Sequence, residues 1–142
     1  ELAENDFNAM IKNIDSLVVA SESSMIEAAE KLEAIDIDPL AIDVAIENCK
    51  INDATRIVCH TGELNDCYSN DYTIIVANII ADTIAAITPD VPSKLAPGGI
   101  YLCSGIINTK KEKVENELKK AGFKILEHHE RNDWQAYVCT LA

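Results

Sequence analysis

The chain is poor in aromatic and in basic residues. Aromatic side chains make up 5% of its 142 residues, and 12 lysines and arginines stand against 24 aspartates and glutamates, which gives a net charge of −12. Such an acidic surface repels nucleic-acid phosphates and attracts basic proteins, so we expect a basic protein partner and no nucleic acid. Plain solubility is the simpler explanation of the same charge.

Long apolar runs and paired cysteine motifs are missing as well. No apolar run reaches the ~18 residues of a membrane span and no signal peptide is visible, so we expect no membrane contact. The five cysteines form no C-x-x-C motif, which argues against a disulfide framework and a zinc site. We expect a reduced, cytoplasmic protein that holds no metal. Because the chain begins with Glu1 rather than Met, we also expect a fragment, a processed chain or a trimmed form.

The residues that are present indicate one folded domain. Hydrophobic residues make up 48% of the chain, enough for a core at this length. After a leading helix over residues 1–15, short apolar strands alternate with amphipathic helices, and the last two strands follow each other directly. We predict a three-layer α/β sandwich over residues 16–142, with a mainly parallel seven-stranded sheet and an antiparallel edge strand. The predicted strands cover residues 16–20, 34–36, 56–60, 72–78, 100–104, 123–129 and 135–141.

The most informative stretch is Ala34-Ile-Asp-Ile-Asp-Pro-Leu40, a short buried strand that ends in two carboxylates. In doubly wound α/β domains, a carboxylate at the carboxyl end of a strand binds both ribose hydroxyls of a nucleoside cofactor, which predicts that role for Asp36. Asp38 can cap the next helix, with Pro39 at its first position. A helix cap plus a solvated loop is the alternative interpretation of the two aspartates.

Two further strand ends carry polar side chains. Glu63 follows the third predicted strand and can accept a hydrogen bond from an exocyclic adenine amine, although Gly-Glu-Leu is also a common turn. Asn78 ends the most apolar predicted strand, where a doubly wound sheet presents its reacting groups. Capping of the following helix is the alternative for Asn78.

Several of these motifs together resemble the PrmA family. The family comprises S-adenosylmethionine-dependent methyltransferases with a Rossmann-like class I fold, which modify lysines and a protein N-terminus of a large-subunit ribosomal protein. The resemblance covers the catalytic domain, from about Ser16 to Leu141. It is carried by Ala34-Ile-Asp-Ile-Asp-Pro-Leu-Ala41, Glu47-Asn48, Val76-Ala-Asn-Ile-Ile-Ala81, Leu95-Ala-Pro-Gly-Gly99, Ser104-Gly-Ile106, Ala121-Gly-Phe123 and the Trp134 segment.

The resemblance implies a function and a set of site residues. It implies a protein N-methyltransferase that uses S-adenosylmethionine and acts on a basic ribosomal protein. Asn78 and the neighbouring backbone carbonyl at Ile79 would hold the substrate amine. The implied cofactor-binding residues are Ala20, Glu22, Asp36, Ile37, Glu63 and Asn78.

The glycine loop of the family is degenerate in this chain. Val18-Val-Ala-Ser-Glu-Ser-Ser24 stands where the family has D-x-G-x-G-x-G, and Glu22 brings a negative charge toward the expected place of the cofactor carboxylate. Ala20 and Asp36 are also closer in sequence than the ~20 residues typical of dinucleotide sites. An alternative is therefore a non-catalytic relative that has lost cofactor binding and serves as a binding or structural module. An enzyme that uses a nicotinamide dinucleotide would need the same glycines.

Overall fold

A computed structural model describes residues 32–142. The predicted leading helix, the predicted strand over residues 16–20 and the site residues Ala20 and Glu22 lie outside this range. The chain divides into two compact units, a first unit over Glu1–Gly62 and a second unit over Glu63–Ala142. The single domain therefore stays a prediction. Within the described range, no helix is long and apolar enough to cross a membrane.

The described part of the first unit is a β-α-β segment. Strands β1 (Leu32–Asp36) and β2 (Ile57–Thr61) are parallel, and helix α1 (Pro39–Ile51) packs against both. Asp38 accepts a hydrogen bond from the Leu40 N–H at 2.9 Å and Pro39 opens the helix, so the predicted helix start is confirmed.

Side-chain contacts tie the two strands and the helix of the first unit together. The His60 Nε2 lies 2.6 Å from the Glu33 carboxylate across the two strands. On α1, Ile42 is buried at 6% exposure, whereas Leu40 and Val44 are exposed at 73% and 60%. The described part of the first unit therefore buries little of its apolar surface.

The second unit is a four-stranded mixed sheet with two helices. The elements are β3 (Tyr72–Asn78), α2 (Ala81–Ile87), β4 (Leu95–Ile107), α3 (Lys111–Lys120), β5 (Phe123–Arg131) and β6 (Trp134–Leu141), with 3-10 turns at Leu64–Asp66, Thr88–Lys94 and Asn108–Lys110. The strand order in the sheet is β3-β4-β6-β5, in which β3 and β4 are parallel while β6 is antiparallel to both of its neighbours.

Proline, glycine and asparagine set the ends of several elements in the second unit. Pro89 and Pro92 lie where α2 gives way to a 3-10 turn, because proline cannot donate the helical hydrogen bond. Gly122 adopts a φ of +87° directly after α3, and Asn132 adopts 54° in the turn between β5 and β6. Both conformations lie in the left-handed region that these residue types tolerate best.

The core of the second unit lies between the sheet and helices α2 and α3. Ile84, Tyr101, Leu118 and Tyr137 are fully buried within it. The Tyr137 hydroxyl donates to the Glu115 carboxylate at 2.7 Å, so its polar end is satisfied. Burial and the Glu115 carboxylate raise the pKa of Tyr137, which stays protonated at neutral pH.

The predicted seven-stranded, mainly parallel sheet is not confirmed in residues 32–142. These residues form six strands in two sheets, with two parallel and two antiparallel pairings. The predicted antiparallel edge strand is also wrong, because the antiparallel strand β6 lies between β4 and β5 and so forms both antiparallel pairings. The α/β class is confirmed, and each strand predicted after residue 31 is present.

Candidate functional site

Asp36 lies at the carboxyl end of β1, where the chain turns toward α1. Its backbone carbonyl accepts the Gly62 N–H at 2.9 Å, which ties it to the end of β2. Its Oδ1 accepts the Asp38 N–H at 2.8 Å, and Asp38 in turn caps α1. A carboxylate oxygen offers more than one lone pair, so Asp36 retains capacity to accept further hydrogen bonds. Such an acceptor complements the two hydroxyl donors of a ribose.

The other nucleoside residues predicted from sequence occupy exposed positions. Ile37 follows Asp36 and is 70% exposed, so it offers an apolar surface next to the carboxylate. Glu63 belongs to the second unit and begins the 3-10 turn over Leu64–Asp66, where its N–H donates to the Asp66 carboxylate at 2.8 Å. The backbone of Glu63 is therefore part of a turn, as its alternative interpretation proposed, and its side chain is exposed.

Asn78 ends β3 and faces the neighbouring strand. In the parallel register it pairs with Ser104 of β4, whose hydroxyl donates to the Asn78 Oδ1 at 3.0 Å. Ser104 is only 5% exposed, whereas Asn78 is exposed, so the carboxamide is anchored on its buried side. Ile79 and Ile80 follow with 37% and 71% exposure.

Gly105 borders the same carboxamide. A Cβ at this position would lie 2.8 Å from the Asn78 Oδ1 and 3.3 Å from the Ile79 carbonyl oxygen. The two acceptor oxygens therefore pack against the Gly105 backbone and leave no room for a side chain at residue 105. Neither Ser104 nor Gly105 was predicted as a site residue, although both lie in the Ser-Gly-Ile motif that contributes to the family resemblance.

Residues 16–141 match the family model described as ribosomal protein L11 methyltransferase (PrmA). The chain belongs to this family. The resemblance drawn from the sequence motifs is thereby confirmed.

Individual PrmA relatives agree with the family model. A ribosomal protein L11 methyltransferase from Desulforamulus reducens is 38% identical over 125 residues, which cover 87% of this chain and 40% of the relative. The enzyme of the same name from Carboxydothermus hydrogenoformans is 39% identical over 113 residues, covering 79% of this chain and 37% of the relative. The chain thus spans about two fifths of the length of these curated relatives.

Solved structures place the fold among methyltransferases. A ribosomal protein L11 methylase from Lactobacillus delbrueckii matches with a TM-score of 0.75 and 25% identity, over 79% of this chain and 58% of that one. A precorrin-6y C5,15-methyltransferase from Geobacter metallireducens matches with a TM-score of 0.66 and 12% identity, over 79% and 67%. The described fold is that of a Rossmann-like class I methyltransferase.

The predicted PrmA site residues fall into the two units. Asp36 and Ile37 lie in the first unit, while Glu63, Asn78 and Ile79 lie in the second. The structure brings Asn78, Ile79, Ser104 and Gly105 together at the ends of β3 and β4.

The Cys103 thiol beside the Asn78 site is not a reactive group. Cys103 precedes Ser104 in β4, and its contact with Cys139 together with burial raises the pKa of the Cys103 thiol well above its usual range. A protonated, buried thiol is neither a nucleophile nor a base at neutral pH. The acceptors at this end of the sheet are thus an uncharged amide oxygen and a backbone carbonyl. Such a pair can orient an amine without taking its proton.

Proposed function

We propose that the protein carrying this chain transfers a methyl group from S-adenosylmethionine to amino groups of ribosomal protein L11, at lysine side chains and the N-terminus. The family membership supports the reaction class, and the names of the relatives supply the substrate. The observation that carries the proposal is the pair of acceptors at the end of β3, the Asn78 Oδ1 and the Ile79 carbonyl oxygen, which both lie beside the Gly105 backbone.

The acceptor pair suits a neutral amine. Each oxygen can accept one N–H of the amine, so two hydrogen bonds fix the direction of the nitrogen lone pair. When bound, S-adenosylmethionine supplies an electrophilic methyl group. Holding the lone pair in line for attack is the main contribution that this end of β3 can make, because orientation alone lowers such barriers strongly. The proton of the product ammonium can pass to water.

Asp36 is the residue proposed to hold the ribose of the cofactor. Its carboxylate only accepts hydrogen bonds and therefore fits two hydroxyl donors. The Asp38 N–H already holds its Oδ1 in place. Ile37 would contact the nucleoside from its exposed position, and Glu63 would contact the adenine amine. Ala20 and Glu22 are proposed for the methionine end of the cofactor from the family resemblance alone.

The net charge and the cysteines support the proposed protein partner and cell compartment. A net charge of −12 attracts a basic protein such as a ribosomal substrate and disfavours nucleic acid. The five cysteines all lie within the described residues and form no disulfide there. We propose the reducing cytoplasm as the compartment of the reaction.

Cofactor binding and methyl transfer test the proposal separately. We expect calorimetry to show S-adenosylmethionine binding that Asp36→Asn weakens and that Asp43→Asn, an exposed acid on α1, leaves unchanged. We expect Asn78→Ala to retain cofactor binding but lower methyl transfer to ribosomal protein L11 by about 100-fold, since the amine loses an orienting acceptor. Mass spectrometry of the substrate measures the transfer.

The titration also separates the proposal from the non-catalytic alternative, which the comparisons do not support. Absence of binding at millimolar cofactor in the wild type would overturn the proposal. Binding that appears only after Ala20→Gly, Glu22→Gly and Ser24→Gly are combined would instead establish the alternative, because glycines allow the backbone to approach a cofactor.

A further inference from the structure

The β4 strand bends directly beside Asn78. Its register with β6 shifts between Cys103 and Ile106, which is the mark of a β-bulge. Gly105 lies within this bulge with a φ of +74°, in the left-handed region that glycine adopts without strain. Bulges bend a strand and redirect its side chains, and they are frequent next to active sites.

Ser104, which precedes Gly105 in the bulge, orients the Asn78 carboxamide. The Ser104 hydroxyl donates to the Asn78 Oδ1 at 3.0 Å from a position that is only 5% exposed. An amide oxygen has two lone pairs, so this bond uses one and leaves the other for a substrate N–H. It also resists rotation of the carboxamide, because turning the group would break the bond of a buried hydroxyl.

The glycine of the bulge allows both acceptors to lie close to the β4 backbone. A Cβ at position 105 would lie 2.8 Å from the Asn78 Oδ1, 3.3 Å from the Ile79 oxygen and 3.8 Å from the Ile79 nitrogen. Cβ atoms do not approach other heavy atoms as closely as the first of these distances, so any side chain at 105 would displace the carboxamide.

From this geometry we infer that Ser104 and Gly105 are positioning residues for the substrate amine. Ser104 fixes the direction of the Asn78 Oδ1, and Gly105 lets the Asn78 carboxamide and the Ile79 carbonyl lie against the β4 backbone without being displaced. The inference rests on the proposed function. It adds that the geometry of methyl transfer depends on β4, a strand that carries none of the residues proposed to touch the cofactor.

The chain offers a matched control for Gly105. Gly98 also has a φ of +74°, but a Cβ there would meet nothing within 4 Å. Gly98→Ala and Gly105→Ala therefore impose the same backbone conformation on alanine, and only the second adds a clash with the acceptors. Comparing the two variants separates backbone strain from loss of amine positioning.

The experiment uses the full protein that carries this chain. Thermal unfolding, affinity for S-adenosylhomocysteine, and kcat and KM for ribosomal protein L11 are measured for the wild type and both glycine variants. We expect Gly105→Ala to lower kcat by about 100-fold, as displacement of an orienting group by about 1 Å does, with cofactor affinity unchanged. We expect Gly98→Ala to retain the wild-type kcat.

A second pair of variants tests Ser104 and keeps the inference testable if Gly105→Ala fails to fold. We expect Ser104→Ala to lower kcat about tenfold, the effect of losing one hydrogen bond in the transition state. Ser104→Thr keeps the hydroxyl and should recover most of the loss. A structural role alone would not produce this rescue at unchanged cofactor affinity.

The outcomes distinguish this inference from the function on which it rests. If the wild type methylates ribosomal protein L11 but Gly105→Ala matches Gly98→Ala, or Ser104→Ala retains the wild-type kcat, the positioning role is wrong and the proposed function stands. If the wild type neither binds S-adenosylhomocysteine nor transfers methyl groups, the proposed function fails and this inference fails with it.

Discussion

The two units hold their proposed site residues in different ways. In the first unit, Asp36 is oriented by the N–H of Asp38, only two residues away. In the second unit, Asn78 is oriented by Ser104, which lies on a neighbouring strand and is far away in sequence. The ribose acceptor is thus set by local backbone geometry, whereas the amine acceptor depends on the register of a packed sheet.

The two units also differ in how many of their described apolar side chains are buried. In the second unit, Ile84, Tyr101 and Leu118 are fully buried in one core. Among the described residues of the first unit, Ile42 is the one buried apolar side chain, while Leu40 is 73% exposed. Damage to the packing should therefore reach Asn78 far more readily than Asp36.

The largest effect that tests this comparison is expected from core truncation. Leu118→Ala should lower the free energy of unfolding of the second unit by about 2–5 kcal/mol, because it leaves a cavity under the sheet. Leu40→Ala, at an exposed position of the first unit, should change that free energy of unfolding by less than about 0.5 kcal/mol. Urea unfolding followed by the fluorescence of Trp134, the single tryptophan, measures both. Equal losses would contradict the comparison.

A smaller and more local effect is expected in the first unit. Asp38→Ala removes the acceptor for the Leu40 N–H and should destabilise α1 by about 1 kcal/mol, a common value for loss of an N-cap. Amide hydrogen exchange should show faster exchange in α1 and unchanged exchange in β4. Asp38→Asn keeps the cap and serves as the control. Faster exchange in β4 as well would mean that the cap affects more than its own unit.

The smallest effect concerns pH. A hydrogen bond from Lys113, with the charge of Lys110 nearby, lowers the pKa of the exposed Asp82 below its usual 3.8. Its contribution to stability is therefore present above pH 3.8 and is lost as the pH falls through the lower pKa of the folded state. Asp82→Asn should lower the urea midpoint slightly at pH 7 but not at pH 2, and 1 M salt should reduce the difference. An equal difference at both pH values would show that the ion pair is not its cause.

Features that depend on neighbouring residues could be predicted from the sequence, whereas features that depend on contacts between distant segments could not. The strand end at Asp36, the Asp38 cap and Pro39 at the start of α1 depend on residues within one turn of chain, so residue types alone indicated them. Asn78 was predicted because it ends a strongly apolar strand. The split of the sheet and the place of β6 depend on pairings between distant segments, which no local pattern encodes.

The roles of Ser104 and Gly105 were missed for the same reason. Their motif contributed to the family resemblance, yet their contact with Asn78 arises from the register between β3 and β4. A Ser-Gly pair at the end of a buried strand is the signal that could have pointed to them. Without the pairing partner, that signal also fits an ordinary turn.

The position of β6 has a consequence for the order in which the protein is made and folded. Trp134–Leu141 is the last strand of the chain, yet it lies inside the second unit's sheet, between β4 and β5. Within residues 32–142, β5 pairs with β6 alone, so it cannot join the sheet until the ribosome has synthesised the chain through Leu141. The β3–β4 pair that carries Asn78 and Ser104 can form earlier. The amine acceptor can therefore be assembled on a nascent sheet whose other edge is still open.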